Sequence, residues 1–479
     1  MKGEKLRNRW ASAAAASLVL ILTGCTVGPN YEKPKYPVPS AWNEAQQSEF
    51  DSRSPEQPRW WSAFNDPLLG TLVERAIRSN LDLRVAEARI RQARAARTVA
   101  ASGAWPTVNT STAYSRTRNS ANTFSSSGPS GGGNLEHDLF VTGFDASWEI
   151  DVFGGVRRSV EAADASIGVS VEDRRATLVT LLGDVAKNYI DLRGFQLRLD
   201  VARANLKAQQ ETLELTRVRF EAGLASDLDV AQAETLVNAT AAQIPPLESS
   251  LKQSAYSLDT LLGLEPGALW GELSKEAPIP QLPPRVLVGL PSELLRRRPD
   301  IRRAERQLAA ATAQVGVATA ELFPKFSLTG MFNLESISAS DWLTGPSRFW
   351  TVGPTIRWTI FDAGKIRANI EISNAQQAEA LALYEKAILT GLQDVENSLV
   401  SYAKEQARNR SLVKAVTANK RAVELVNELY SRGLVDFLNV LVTQRALYSS
   451  EDTLAQSNAL IASDLVSLYK ALGGGWQIP

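Results

Sequence analysis

One cysteine, Cys25, and one histidine, His137, are all this chain offers for thiol chemistry or soft metal coordination. A structural zinc site takes about four such ligands, and a Cys–His nucleophile needs both groups in one place. Neither is available within a single chain, and a lone cysteine builds no disulfide framework. No phosphate-cradling glycine motif, metal-ligand cluster or nucleophile elbow occurs, so an enzyme is the weakest class of reading. No metal or cofactor is expected. Lysine plus arginine number 52 and aspartate plus glutamate 52. That balance leaves no electrostatic footprint for nucleic acid.

The chemistry that remains belongs to Cys25. Lys2, Lys5, Arg7 and Arg9 precede an apolar run from Trp10 to Leu22. The pattern predicts a secretory signal over residues 1–24, too short to span a bilayer comfortably. The run ends in Leu22-Thr23-Gly24-Cys25, which resembles the bacterial lipobox. The resemblance implies cleavage before Cys25, an S-diacylglycerol thioether on its sulfur, and N-acylation (palmitate) of the new terminus. The competing reading is an ordinary signal with a chance cysteine. Each buried methylene contributes about 0.8 kcal/mol, so several acyl chains anchor durably. Thr26, where the sorting pattern for retention has aspartate, implies the outer membrane.

The elements behind this anchor form a duplication. One copy starts at Leu83, passes Trp105-Pro106 and Phe153-Gly154-Gly155, and continues to Phe220-Glu221-Ala222-Gly223-Leu224 and Leu261-Leu262-Gly263. The other starts at Ile301 and passes Phe323-Pro324, Phe361-Asp362-Ala363-Gly364 and Tyr430-Ser431-Arg432-Gly433-Leu434 to Leu472-Gly473. The offset is about 210–218 residues, a two-copy duplication rather than a solenoid. Each copy reads helix, strand, strand, helix, helix. Two strands per copy close no sheet, so the architecture asks for an oligomer. The predicted divisions are the signal (1–24), a lipidated N-terminal segment (25–80), the first repeat (81–263), a Pro-rich inter-repeat segment (264–299), the second repeat (300–473) and a tail (474–479). The segment at 25–80 holds Pro29, Pro34, Pro37, Pro39, Trp42, Trp60 and Trp61. It should wrap a surface, beside the Pro-rich stretch Glu265 to Pro299. Trp60-Trp61 reads as packing against a helix before it reads as a ligand platform.

The strands are the most diagnostic local feature. Phe140, Phe144, Trp148, Ile150 and Val152 alternate with Val141, Asp145, Glu149 and Asp151. Trp350, Val352, Ile356, Trp358 and Ile360 alternate with Thr351, Thr355, Arg357 and Thr359. Period two puts apolar groups on one face and polar groups on the other. Phe326, Leu328, Phe332 and Leu334 make a third such face, and Val108 to Tyr114 a fourth and weakest. The apolar face could pack on a second sheet or face lipid. Segments of about 10–13 residues with aromatics near both ends fit a transmembrane barrel. The sequence shows no further strands for a second sheet, so the barrel is favoured. Asp145, Glu149 and Arg357 would then line its lumen. The Ser/Gly-rich stretch Asn119 to Asp138 should be an outward-facing loop.

Two runs free of proline, Val156 to Glu221 and Ile366 to Arg432, carry apolar residues in steps of three and four. Leu178, Leu181, Val185, Tyr189, Leu192, Phe195 and Leu199 mark the first; Leu381, Tyr384, Ile388, Leu392, Val395, Leu399 and Tyr402 the second. Some 65 residues at about 1.5 Å rise make a helix of about 100 Å, against a usual length near 11–12 residues. A structural coiled-coil rod would have this pattern too, but not a membrane-type strand leading straight into each helix. Gly223-Leu224 and Gly433-Leu434 should reverse the chain at the tips, with Asp227 and Asp436 at the starts of the returning helices. Helix capping alone accounts for those acids.

Together these pieces resemble the TolC superfamily of outer-membrane channels, in its NodT/OprM-like lipoprotein branch. The resemblance rests on Gly28-Pro29-Asn30-Tyr31 with Pro34, and on Trp60-Trp61 with Phe64, Asp66 and Pro67. Leu294-Leu295-Arg296-Arg297-Arg298-Pro299-Asp300-Ile301 with Ala304-Glu305, and Leu468-Tyr469-Lys470-Ala471-Leu472-Gly473-Gly474-Gly475-Trp476, extend it over nearly all of the mature chain. It implies a mixed α and β membrane protein: a homotrimeric twelve-stranded transmembrane β-barrel continued by a long α-helical periplasmic barrel. Its internally duplicated protomer would carry Pro-rich equatorial segments. The implied function is the passive outer-membrane exit duct of a tripartite efflux pump. Its partners would be a periplasmic adaptor, an inner-membrane resistance-nodulation-division pump and outer-membrane lipid; a type I protein-secretion duct is the alternative. The family narrows the periplasmic mouth with a leucine and, one turn on, an aspartate. Leu438 matches the leucine, Val442 stands at the aspartate position, and Arg445 follows with Asp436 nearby. The implied gate is therefore largely apolar here. Gly223, Leu224, Asp227, Gly433 and Leu434 are the residues implied for adaptor contact.

Overall fold

The computed structural model describes residues 26–44, 50–51, 59–120, 136–283 and 285–477. Cys25 and residues 1–24, with the expectations placed on them, lie outside the described residues, as do 121–135 of the Ser/Gly-rich loop. Before the first long helix the chain forms β1 (Phe50–Asp51), α1 (Pro67–Ser79), α2 (Leu81–Ser102), β2 (Thr107–Arg118) and β3 (Glu136–Ile150). The long helix α3 (Gly155–Glu221) is followed by α4 (Asp227–Ala241), α5 (Ile244–Leu261), α6 (Trp270–Leu273), β4 (Val286–Leu287) and α7 (Pro291–Arg297). The second copy comprises α8 (Pro299–Ala320), β5 (Lys325–Ser336), β6 (Arg348–Arg357), the long α9 (Lys365–Ser431) and α10 (Phe437–Ala471). Both long helices have 67 residues. The chain divides into two compact units, one of residues 1–34, 90–169 and 305–383, the other of 35–89, 170–304 and 384–479.

The first unit is built on one sheet, ordered β2-β3-β5-β6 and antiparallel throughout. The two copies thus meet where β3 pairs with β5. Among the described residues the only other strand pairing is the two-residue β1–β4, so the sandwich reading has no second sheet. The duplication reaches single hydrogen bonds. Trp148 Nε1 donates to Ala104 O at 3.0 Å, and Trp358 Nε1 donates to Leu322 O at 3.0 Å. An aspartate in the connection after β3, and another in that after β6, caps the long helix that follows. Asp151 accepts from the amides of Val156 and Arg157, both at 3.0 Å, and Asp362 from Gly364 and Ile366 at 2.9 and 2.8 Å. These carboxylates satisfy orphan amides at the helix starts and suit the positive end of the helix dipole, so each long helix begins at a fixed turn.

The second unit is a helical core. Leu181, Val185, Tyr189 and Leu192 of α3 are buried in one cluster with Tyr384, Ile388, Val395 and Leu399 of α9 and Leu465 and Leu468 of α10. The expected seams are therefore core, although Phe195, Leu381 and Leu392 are only half-buried. A fully buried side chain of this size contributes about 1.5–3 kcal/mol. Trp60 and Trp61 belong to the same cluster, and Trp60 stacks on Tyr469 with ring centroids 5.2 Å apart, so the pair packs on a helix. The Pro-rich segments do lie side by side: β1 runs parallel to β4, and Trp42 Nε1 donates to Gly289 O at 3.1 Å.

Three details depart from the sequence reading. β3 already begins at Glu136, inside the stretch Asn119 to Asp138 expected as loop. The N-terminal segment ends in a helix, α1, because Asp66 caps it and Pro67 occupies the first turn, where a missing amide costs nothing. The return helix of the first copy breaks at Ala242-Gln243, just before α5 with Pro245-Pro246 in its first turn, whereas α10 runs unbroken for 35 residues.

The arginine-rich motif before α8 is a clamp. Arg298 donates to Asp300 Oδ1 at 3.0 Å and Oδ2 at 2.7 Å, to Asp394 Oδ2 at 2.9 Å and to Ala471 O at 3.1 Å. Removing one partner of a buried ion pair strands the other, at about 3–5 kcal/mol. Asp394 is partly solvated, so Arg298→Met should cost about 3 kcal/mol, read as a lower urea midpoint. Burial would raise the Asp300 carboxyl, but the bonds and charge of Arg298 outweigh it and hold it below the usual carboxylate range. Its contribution is complete above about pH 4 and is lost as pH falls through its lowered folded value. Arg298→Met should accordingly remove part of the acid sensitivity below about pH 4.

Candidate functional site

The register sorts the sheet into two chemically different faces. On one, Thr110, Phe144, Phe332 and Trp350 form a row across all four strands. The neighbouring row is Val108, Ala146, Gly330 and Val352, and Ile150, Phe326 and Ile356 lie farther along. This face is apolar yet uncovered: Phe144 is 58% exposed and Trp350 68%. A contiguous exposed apolar surface of this kind marks a lipid or protein contact.

The opposite face carries Asn109 beside Asp145, Thr107 beside Ser147 and Thr329, and Glu149 beside Ser327 and Thr355. Lys325 pairs with Arg357 on the same face, so the register brings together the three predicted lumen residues, Asp145, Glu149 and Arg357. Asn109 Nδ2 donates to Asp145 Oδ2 at 3.0 Å. Lys325 was not singled out, because it precedes the alternating stretch of β5; Met331 and Phe349 are apolar exceptions on this face. The edge strands β2 and β6 have 12 and 10 residues, and among the described residues each has a partner strand on one side only. Long open edges of this kind are ready templates for a partner strand. Among the described residues no helix is long and apolar enough to cross a membrane, and no cluster could hold a metal ion.

The hairpin tips are the second site. Gly223 and Gly433 adopt φ of 73° and 75°, the left-handed region. Leu224 N donates to Arg219 O at 2.7 Å and Leu434 N to Leu429 O at 2.9 Å, which closes the ends of α3 and α9 in the same way. Capping differs from expectation. Ser226, not Asp227, caps α4, accepting from the amide of Asp229, whose carboxylate accepts from the Ser226 amide in return. Asp227 occupies the first turn. Asp436 stands at the cap of α10 but its side chain makes no capping bond. Leu224 and Leu434 are exposed at the turns.

On α10, Phe437, Val440 and Leu441 turn inward against Leu213, Leu236, Val426 and Tyr430. Leu438 and Val442 point away, 58% and 57% exposed, and Asp436 and Arg445 are exposed as well. Packing within the chain therefore does not explain Leu438 and Val442. Arg219 went unnoticed in the sequence: its Nη1 donates to Tyr430 O at 3.0 Å and its guanidinium lies 4.7 Å from the Tyr430 ring centroid, joining the two tips. The signal was available, since the repeat aligns Arg219 with Leu429.

Comparisons with known proteins agree with this geometry. A family model described as outer membrane efflux protein matches residues 72–264 and 290–474. Nodulation protein T of Rhizobium leguminosarum bv. viciae is 35% identical over 470 residues, covering 97% of this chain and 94% of that protein. The pyoverdine export outer membrane protein OpmQ of Pseudomonas aeruginosa is 36% identical over 462 residues, covering 96% of each. The solved structure of the outer-membrane channel OprN superposes with a TM-score of 0.88 at 37% identity, covering 95% of this chain and all (100%) of that one.

Proposed function

The chain belongs to the outer membrane efflux protein family, and from that membership we propose that it is the passive exit duct of a tripartite efflux pump. Three copies close their sheets edge to edge, β6 of one subunit against β2 of the next, into a twelve-stranded barrel. The observation that carries the reading is the division of the sheet: an exposed apolar face for lipid and a charged, hydroxyl-rich face for water. Substrate passes unchanged, a periplasmic adaptor contacts the tips at Leu224 and Leu434, and an inner-membrane pump of the resistance-nodulation-division type supplies the energy. Leu438 and Val442 form the closed mouth. Unheated gel electrophoresis of the purified protein should show a trimer that boiling converts to monomer. A monomer before boiling would remove the duct.

The lipid at Cys25 belongs to the same proposal. Thr26 follows it directly, and a Cβ on Gly154 would come within 2.8 Å of the Thr26 side chain, while Val27 N donates to Phe153 O at 3.2 Å. The chain next to the anchor is thus tied to the end of the barrel strand β3, at the height where acyl chains enter a membrane. Labelled palmitate should enter the wild type and not Cys25→Ser, which keeps some outer-membrane residence through its barrel. An unlabelled wild type would end the lipoprotein reading.

A further inference from the structure

The apolar face of the sheet ends differently at its two rims. Counting along β3 from the Ile150–Phe326–Ile356 row to the Tyr114–Phe140 row spans about ten residues. At about 3.3 Å per residue and a tilt of about 40° that rises about 25 Å, the height of the apolar band of a membrane barrel. Just beyond it, on the same outward face, the register places Arg116 opposite Asp138 and Arg118 opposite Glu136. Arg348 lies on this face too, opposite Leu334 at the start of β6. At the other rim the charged pair Lys325 and Arg357 is turned to the opposite face. Outward-facing charge is therefore concentrated at the loop end alone.

The carboxylates fix these guanidiniums in place. Glu136 accepts from Arg116 Nη2 and Arg118 Nη1, each at 3.0 Å, and Asp138 accepts from the Tyr114 hydroxyl at 3.0 Å and lies 4.0 Å from Arg116 Nε. Arg348 Nε donates to Gly345 O at 2.8 Å. The arginine side chains of β2 remain 63% and 72% exposed. Beneath them, Tyr114, Phe140 and Trp342 form an aromatic row with centroids 4.8 and 5.4 Å apart, the composition of a membrane interface.

We propose that Arg116, Arg118 and Arg348, above this aromatic row, bind the phosphate groups of the glycolipid in the outer leaflet. The proposal rests on the lipid-facing reading of the sheet. Planar guanidinium forks match phosphate oxygens, which they hold by paired hydrogen bonds. On the outward strand face itself three cations stand against two carboxylates, with Asp341 the further acid in the loop before β6, so the attraction to an anionic surface comes from the exposed guanidiniums rather than from net charge. In one chain Arg348 stands three strands across and four residues along from Arg116, about 19 Å away. Closure of the barrel sets β6 beside β2 of the next subunit, so Arg348 joins the arginine pair there and the site completes itself at each subunit junction.

The test is native mass spectrometry of detergent-purified trimers with bis-phosphorylated lipid A, with lipid A stripped of phosphate, and with inorganic phosphate as competitor. Wild type should retain the phosphorylated lipid at least tenfold better than the stripped form, and millimolar inorganic phosphate should not displace it. Arg116→Gln/Arg118→Gln/Arg348→Gln should lose that preference while forming channels of unchanged conductance. Equal retention of stripped lipid by wild type, equal retention of phosphorylated lipid by the variant, or displacement by inorganic phosphate would each overturn the proposal. If the triple variant does not assemble, Arg348→Gln alone and the wild-type comparison of the two lipids decide. Conducting wild-type trimers that ignore the phosphate overturn the lipid site alone, whereas trimers that never conduct overturn the barrel itself.

Discussion

Phe144→Arg should lower the yield of heat-resistant trimer at least tenfold, while Asp145→Arg should leave it near wild type. The two residues are neighbours on β3 and face opposite ways. Phe144 sits mid-strand between Thr110 and Phe332, near the middle of the apolar band. An arginine on the lipid face at that depth costs about 2–4 kcal/mol, and substitutions in a lumen are tolerated. About 1.4 kcal/mol is a factor of ten in an equilibrium constant, and three copies suffer together. Asp145→Arg instead places a cation on a face that already holds Lys325 and Arg357. Equal losses would mean that neither face meets lipid. The reverse order would mean that the sheet is inside out.

The second large effect is expected at the mouth. Leu438→Ser/Val442→Ser should raise the basal conductance of purified trimers severalfold and admit large antibiotics to cells expressing the protein. Apolar side chains around a narrow pore hold it shut by dewetting, and no salt bridge is needed. Serine keeps the helix but wets the ring. Both side chains are more than half exposed in the chain, so trimer stability should change little. Unchanged conductance in an assembled variant would take these residues out of the gate. A collapsed trimer would show that they pack between subunits instead.

What could be read from the sequence is what depends on neighbours in the chain. Alternation in β3 needs only period two, so the separation of Phe144 and Trp148 from Asp145 and Glu149 was visible. The long helices were legible for the same reason, to within a residue at each end. The tips were legible because a left-handed glycine is required wherever two helices reverse so tightly. Competition among adjacent polar residues was harder: Ser226 and Asp227 both suit a helix start, and geometry chose the serine. Partners far away in the chain were not legible. The Arg296-Arg297-Arg298 run identified the family without revealing that Arg298 holds Asp394 and Ala471. For Arg219 the repeat marks the position, where the other copy has Leu429, but not the partner, Tyr430.

The most direct test of the duct uses the single cysteine. Cys25→Ser makes the chain cysteine-free, and Asp145→Cys or Phe144→Cys can then be introduced one at a time. Trimers in planar bilayers are recorded while a membrane-impermeant, bulky thiol reagent is added. Asp145→Cys channels should lose conductance in as many as three steps, one for each subunit labelled, while Phe144→Cys channels should not respond. Block through Phe144→Cys with Asp145→Cys silent would contradict the assignment of faces, and trimers that carry no current at all would contradict the duct.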